Sequence, residues 1–318
     1  MKTVTLAPPL LGASLDDATP GLIGSASELD TRARLSAFVA LTKPRITVMV
    51  LVTVATGYVL GDAGPIDPVR LLLAMVGTAM VAAGASVWNQ VLERDRDARM
   101  RRTLNRPIPS GKVSPAEATV FGSALAVAGV VTLALGANVL ASAVALATFL
   151  LYVVVYTPLK PITSLNTAVG AIPGALPPVI GWAAASGRLG IEPWALFLIV
   201  FLWQFPHFLA IAWIHREDYA RGGHKMLPNL DPDGAMTGRQ AMWHALELLP
   251  AGLIPALPFV GLGGPWYFAG ALLLGGYYLY HAVRFWLDVN DRTARKLLKA
   301  SFLYLPAILI LLLIDRAG

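Results

Sequence analysis

The sequence predicts an all-α, polytopic membrane protein with about nine transmembrane helices around a central cavity open toward the cytosolic side. Three observations carry this. Of the 318 residues, 56% are hydrophobic and 14% charged, with mean hydropathy +0.63, whereas soluble chains carry roughly a quarter charged residues. Apolar runs approaching the ~20 residues of a membrane span recur along the chain. The basic residues also segregate. With the N-terminus in the cytosol, all of the 25 lysines and arginines except Arg70, Arg188 and Arg316 fall on the cytosolic side of a nine-span chain, as the positive-inside bias requires.

In chain order, residues 1–35 read as a disordered cytosolic tail. Lys2 is followed by no apolar stretch of signal-peptide type, and Asp16, Asp17, Glu28 and Asp30 are acids that mitochondrial transit peptides avoid. Residues 36–318 form one membrane domain. Its expected spans are Ile46–Leu60, Val69–Trp88, Ala116–Leu135, Val139–Tyr156, Thr167–Ala184, Trp194–Ile214, Leu246–Val260, Trp266–Arg284 and Leu297–Ile314. Gly136-Ala137-Asn138 reads as a tight helical hairpin. Gly170, Pro173, Gly174, Pro177 and Pro178 mark a kinked or unwound span of the kind that lines a cavity. The absence of cysteine excludes disulfides, zinc-thiolate sites and cysteine nucleophiles. The net charge of +6 is explained by loop bias, not by nucleic-acid binding.

Chemistry concentrates where the second span ends. Asn89, Glu93 and Asp97 recur every fourth residue, so a continuing helix stacks them on one face. A solvated helix end is the plain reading. A cradle for a hard cation is the functional one, and the arginines that follow favour it, because they exceed what topology needs. Arg102 and Arg106, ahead of Pro107, are the better phosphate ligands among them. A second cluster holds His207, inside an apolar span after Pro206, then Glu217 and Asp218 where that span reaches the cytosolic connection, then Lys225. An ionisable residue at the depth of His207 is a functional candidate by default. Lys43 and Arg45 open the first span as snorkelling anchors or ligands. Tyr156, Lys160 and Asn166 border the fourth connection, where the Tyr156 ring is able to face a cation.

These residues resemble the UbiA superfamily of intramembrane prenyltransferases. Leu41-Thr-Lys43-Pro-Arg45, Asn89-x-x-x-Glu93-x-x-x-Asp97 and Arg102-Thr-x-x-Arg106-Pro107 carry the superfamily pattern from Leu41 onward. Trp203-Gln-x-Pro-His207-Phe208, Glu217-Asp218-Tyr219 and Lys225-Met-Leu-Pro228 are similar to its heme-directed branch. Two departures stand out: Glu93 replaces the usual aspartate, and the second motif has histidines where quinone-forming relatives have an acid. The resemblance implies a membrane prenyltransferase domain in the cell inner membrane. It implies transfer of a farnesyl group from farnesyl diphosphate to the vinyl group of heme b, with water added. Asn89, Glu93, Asp97 and Asp218 would hold Mg2+, with Arg102, Arg106 and Lys225 on the diphosphate. Lys43, Arg45, Tyr156, Lys160, His207, Glu217 and Asp218 would contact substrate, His207 through either iron or a propionate. It also suggests heme A synthase or a terminal oxidase assembly as neighbours in the bilayer. The alternatives are prenylation of 4-hydroxybenzoate or another quinone precursor and, more remotely, a transporter with its broken helices.

Overall fold

A computed structural model describes residues 23–61 and 64–316. It is built from α1 (Ile23–Leu41), α2 (Pro44–Gly61), α3 (Pro68–Asp97) and α4 (Pro115–Gly136). After these, α5 (Val139–Leu150) runs through a π-helical turn (Leu151–Tyr156) into α6 (Thr157–Leu159). Next come α7 (Asn166–Ala175), α8 (Pro177–Ser186), α9 (Glu192–Ile214), α10 (Arg216–Arg221) and α11 (Leu227–Leu230). The chain ends with α12 (Ala235–Leu253), α13 (Pro265–Leu287) and α14 (Asp291–Ile314).

Each of the nine expected spans is helical. Seven, including the composite Val139–Leu159 and Asn166–Ser186, are long and apolar enough by themselves to cross a membrane. The other two, α12 and α13, fall short. Arg239, His244 and Glu247 break the apolar run of α12, and tyrosines and tryptophans lower that of α13. The seventh segment also shifts toward the N-terminus. Asp231 Oδ2 accepts from the Thr237 amide (2.6 Å) and hydroxyl (2.8 Å), fixing the start of α12. Pro255 then turns the chain into a short 3-10 segment, Ile254–Ala256. The expected tail needs correction over its last part. Residues 1–22 lie outside the described residues, but residues 23–35 belong to α1. Ala37 and Leu41 of that helix pack into a small core with Val87, Val91 and Ile108, and Arg34 pairs with Glu117 at 2.6 Å.

Helix starts follow capping chemistry. Asp67 accepts from the Val69 and Arg70 amides ahead of α3, Ser114 and Glu117 form a reciprocal capping box on α4, and Asn138 caps α5 across the predicted hairpin. Lipid offers little hydrophobic drive between helices, so close packing of small residues takes over. At Gly129 of α4 an added Cβ would meet Gly77 O of α3 at 2.6 Å, and at Gly181 of α8 it would strike the Val54 carbonyl of α2. Both contacts require bare backbone. The broken span is also as expected: α7 stops at Ala175, α8 restarts at Pro177, and Gln204 of α9 donates to the Ala171 carbonyl (3.1 Å).

Helices contact their successors around the bundle, and α14 returns to α2, closing a ring. Cross-contacts gather the even-numbered connections at one end. Lys43 reaches Asn89, Arg101 and Arg102 reach Asp218, Lys225 reaches Lys160, and Arg216 reaches Asp291. The basic connections therefore share one end of the bundle. A cleft of about 280 Å³ lined by Trp88, Ala126, Val127, Phe149 and Val154 opens on the bundle's outer surface, where Val127 and Val154 are exposed.

Candidate active site

The site is organised by the last turns of α3. With 30 residues this helix is about 45 Å long at 1.5 Å per residue, longer than the ~30 Å hydrocarbon core. Its final turns therefore run beyond the apolar slab, yet they are not solvated. Asn89, Glu93 and Asp97 are 2%, 5% and 0% exposed, which rules out a helix end bathed in headgroups.

Each of the three is met by a cation from a different connection. Lys43 Nζ donates to Asn89 Oδ1 (3.1 Å), Lys160 Nζ pairs with Glu93 Oε1 (2.7 Å), and Arg106 Nη1 pairs with Asp97 Oδ2 (2.7 Å). Three basic groups face two carboxylates, so with Lys43 protonated the cluster carries surplus positive charge. Lys43 registers that surplus. Burial, then Arg106 and Lys160, lower its ammonium to about 7 against the opposing pull of Glu93 and Asp97. For Lys160, burial also opposes the charge, but Glu93 outweighs it and the ammonium sits above the ordinary lysine range.

Local backbone departures place these groups. Lys43 adopts φ 49°, a left-handed conformation that costs a non-glycine residue energy and clusters at functional sites. The π-helical turn rotates Thr157 so that its hydroxyl donates to Tyr152 O (2.8 Å) and accepts from Asn89 Nδ2 (3.3 Å). The same turn brings Tyr152 and Tyr156 to 5.2 Å and sets the Tyr156 ring 4.6 Å from Lys160 Nζ. Sequence reasoning missed Thr157 and Tyr152. The proline after Thr157 is the one local hint that the helix is disturbed there.

Asp218 lies close by but does something other than expected. Its two oxygens accept from the Arg101 (3.1 Å) and Arg102 (3.3 Å) amides, and Arg221 pairs with it as well. Arg221 first, and then those amides, hold the carboxyl below its ordinary range. It latches the connection after α3 to the connection after α9. Glu217, one residue away on α10, projects outward with its side chain 78% exposed, 4.0 Å from Arg221. Arg45 and Lys225 are exposed as well. Lys225 contributes its backbone, whose N–H donates to Lys160 O (2.8 Å) while Asn166 Nδ2 donates to its carbonyl (3.1 Å). Arg102 is exposed, with its guanidinium 5.3 Å from the Tyr219 ring centre. Glu217, Arg45 and the Lys225 side chain are thus not gathered into the acidic cluster.

His207 occupies a separate buried niche between α9 and α14. Its Nδ1 lies 2.7 Å from Ser301 Oγ, and its ring stacks on Trp203 (4.8 Å) with Phe208 and Phe302 at its edges. Ser301 Oγ also donates to Leu298 O (2.6 Å), so Nδ1 is the donor toward that oxygen and Nε2 is left as the acceptor or ligand.

The acidic face fits a divalent cation. Asp97 Oδ1 is buried without a hydrogen-bond partner, an arrangement native structures rarely leave unexplained. The other two residues that share its helix face, Asn89 and Glu93, also carry side-chain oxygens, as Mg2+ prefers. No cluster of three or more His, Cys, Asp or Glu suited to a metal occurs among the described residues. The protein therefore offers Asn89, Glu93 and Asp97, and Asp218 falls outside the set because the backbone has claimed it. Such a partial shell suits Mg2+, which keeps water and substrate oxygens among its ligands.

The chain is 47% identical to "Protoheme IX farnesyltransferase" of Solibacter usitatus over 88% of its length and 99% of that relative's. The fold matches a solved digeranylgeranylglyceryl phosphate synthase at TM-score 0.74, with 19% identity, covering 89% of this chain and 98% of that one. It also matches a UbiA homologue from Archaeoglobus fulgidus bound to GPP and Mg2+ at TM-score 0.64, with 16% identity, covering 87% and 99%. Residues 50–305 fit the pattern of the UbiA prenyltransferase family. Taken with the ring of helices and the cation-clasped acidic face, these likenesses establish that the chain is a polytopic membrane protein belonging to the UbiA prenyltransferase family.

Proposed function

We propose that this protein transfers the farnesyl group of farnesyl diphosphate to the vinyl group of heme b, with addition of water, releasing diphosphate and giving heme O. The observation that carries the diphosphate half is the face of Asn89, Glu93 and Asp97 clasped by Lys43, Lys160 and Arg106. Its surplus positive charge suits a diphosphate accompanied by one divalent cation, a pair that is itself net negative. The heme half is supported by relatives named for that reaction at 37–47% identity and by the His207 niche.

In this reading Asn89, Glu93 and Asp97 hold Mg2+, which when bound supplies positive charge to the leaving diphosphate. Lys43, Lys160, Arg106 and the nearby Arg102 meet the phosphate oxygens as the allylic C–O bond breaks and its electron pair leaves with diphosphate. Tyr152 and Tyr156 turn aromatic faces toward the allylic cation. The terminal vinyl carbon bonds to that cation, water adds at the adjacent carbon, and one proton is lost, leaving a secondary alcohol. His207 Nε2 binds heme, through iron or a propionate. Positive-inside bias puts the clustered connections, and the mouth of a central cavity, on the cytosolic side of the inner membrane. Heme A synthase or a terminal oxidase assembly would be the natural recipients of the product.

The test is direct. Protein in lipid nanodiscs is given ferrous heme b, farnesyl diphosphate and Mg2+, and the extracted porphyrin is analysed by mass spectrometry. Farnesylated, hydrated porphyrin is expected. Prenylated 4-hydroxybenzoate with heme untouched would replace this reading with a quinone-pathway one.

A further inference from the structure

His224 lies in the segment joining α10 to α11. It is 4% exposed and its Nδ1 is buried without a hydrogen-bond partner. Its backbone is fully engaged. The His224 amide donates to Tyr219 O (2.9 Å), and its carbonyl accepts from Asn229 Nδ2 (3.1 Å). The next amide, Lys225 N–H, donates to Lys160 O (2.8 Å). The main chain around the imidazole is thereby tied to Tyr219, whose ring Arg102 covers, and to Lys160, whose ammonium holds Glu93. The Tyr219 and His224 ring centres are 6.0 Å apart, edge to face. Burial first, and then the positive charges of Lys160, Arg96 and Arg102, push the His224 ring down to about 4 against the pull of Glu93. The ring is therefore neutral at ordinary pH, with one nitrogen donating and one accepting.

A buried polar ring atom without a partner, on a residue whose own backbone is fully bonded, calls for a ligand. We propose that His224 binds the prenyl diphosphate directly, donating its ring N–H to a diphosphate oxygen between Lys160 and Arg102. This rests on reading the clasped acidic face as the diphosphate site. Ammonium groups are point charges without a strong directional preference, whereas an imidazole N–H on a pinned backbone fixes one oxygen in place. His224 thus orients the group that the lysines only attract.

The experiment titrates nanodisc-embedded protein with inorganic diphosphate plus Mg2+ and, separately, with heme. It compares wild type with His224→Phe, with the smaller His224→Leu, and with His224→Asn, whose amide restores an N–H near the position of Nδ1. Loss of a hydrogen bond to a charged group weakens binding about tenfold to a hundredfold. The diphosphate Kd and the KM for farnesyl diphosphate are expected to rise by that factor in the Phe and Leu variants. The heme Kd and the thermal midpoint stay unchanged, and Asn recovers most of the loss. Unchanged diphosphate affinity in a folded variant overturns the proposal. So does a fall in heme affinity alone, which would put a propionate on His224, and so does a lowered midpoint that Asn fails to rescue. Wild-type protein that binds no diphosphate would instead remove the reading of the site itself.

Discussion

Replacing Lys160 with methionine isolates the central ion pair. Lys160 and Glu93 approach to 2.7 Å with side chains only 14% and 7% exposed. Removing one partner of a buried pair costs about 3–5 kcal/mol, because the other is left uncompensated. Loss of the ammonium from the Tyr156 face, 4.6 Å away, adds about 0.5–2 kcal/mol. The exposed pair Arg34–Glu117, at 55% and 43%, is the internal control, because solvent screens its charges. The double variant Lys160→Met with Glu93→Gln removes both charges together. It recovers much of the loss, with a coupling energy of about 2–3 kcal/mol. Denaturant unfolding in mixed micelles, followed by tryptophan fluorescence, measures all four corners of the cycle. Repeating it with Mg2+ and inorganic diphosphate at a hundredfold excess over Kd stabilises wild type by about 2.7 kcal/mol and the double variant by much less. A Lys160→Met cost below 1 kcal/mol, additive with Glu93→Gln, would show that the pair is not buried as described and would refute the clasp.

Asp97→Asn keeps the shape and loses the charge, so turnover with farnesyl diphosphate falls at least about a hundredfold and the thermal midpoint drops as Arg106 loses its carboxylate partner, while Glu93→Asp stays active; steady-state assays across Mg2+ concentrations check both. Asp218→Ala releases the Arg101 and Arg102 amides, costing about 1–3 kcal/mol and raising their hydrogen exchange. Since the Asp218 carboxyl is held below its ordinary range, the latch is fully present above the unfolded carboxylate pKa and is lost as pH falls through the lower folded one. Amide protection at 101–102 is therefore flat from pH 7 to 5 and declines below about 4. His207→Ala lowers heme affinity and leaves that for diphosphate with Mg2+ intact; titrations with each ligand check this, and a parallel fall in both would make the His207 niche structural.

What the sequence makes legible depends on whether a feature is local. Asn89, Glu93 and Asp97 declare a shared face because the helix repeat alone aligns them, and the structure keeps that face buried. The hairpin at Asn138 and the break before Pro177 are equally local. The partners of the acids are not. Nothing near Lys160 in the chain says that it will reach Glu93, since a π-helical turn and the anchoring of Lys225 to its carbonyl decide that. Glu217 and Asp218 look interchangeable as adjacent acids. One step along α10 turns the side chain by about 100°, which sends Asp218 to the backbone of the other connection and Glu217 outward. Lys225 looks like a phosphate ligand, yet its main chain does the structural work. His224 carries no sequence signal of its own because its significance lies in the partner it lacks.

The resting arrangement also bears on how the site meets its ligands. Carboxylates poised for Mg2+ would repel diphosphate if they stood alone, and free cations would attract any anion at the membrane surface. Pairing Lys160 with Glu93 and Arg106 with Asp97 suppresses both errors while keeping every group in place. On the proposed function, binding becomes an exchange of partners, in which the carboxylates turn to the metal and the cations to the phosphates. Neither ligand alone balances the charges, because Mg2+ adds to the existing surplus and diphosphate without metal faces two carboxylates. Their energetics should therefore be linked, and by reciprocity each raises the affinity of the other by the same factor. Titrating diphosphate at low and at saturating Mg2+, and Mg2+ with and without diphosphate, should give equal ratios well above one. In Lys160→Met with Glu93→Gln, which has lost the exchangeable pair, that ratio should collapse toward one; a ratio unchanged from wild type would mean that the ligands do not displace the pair at all.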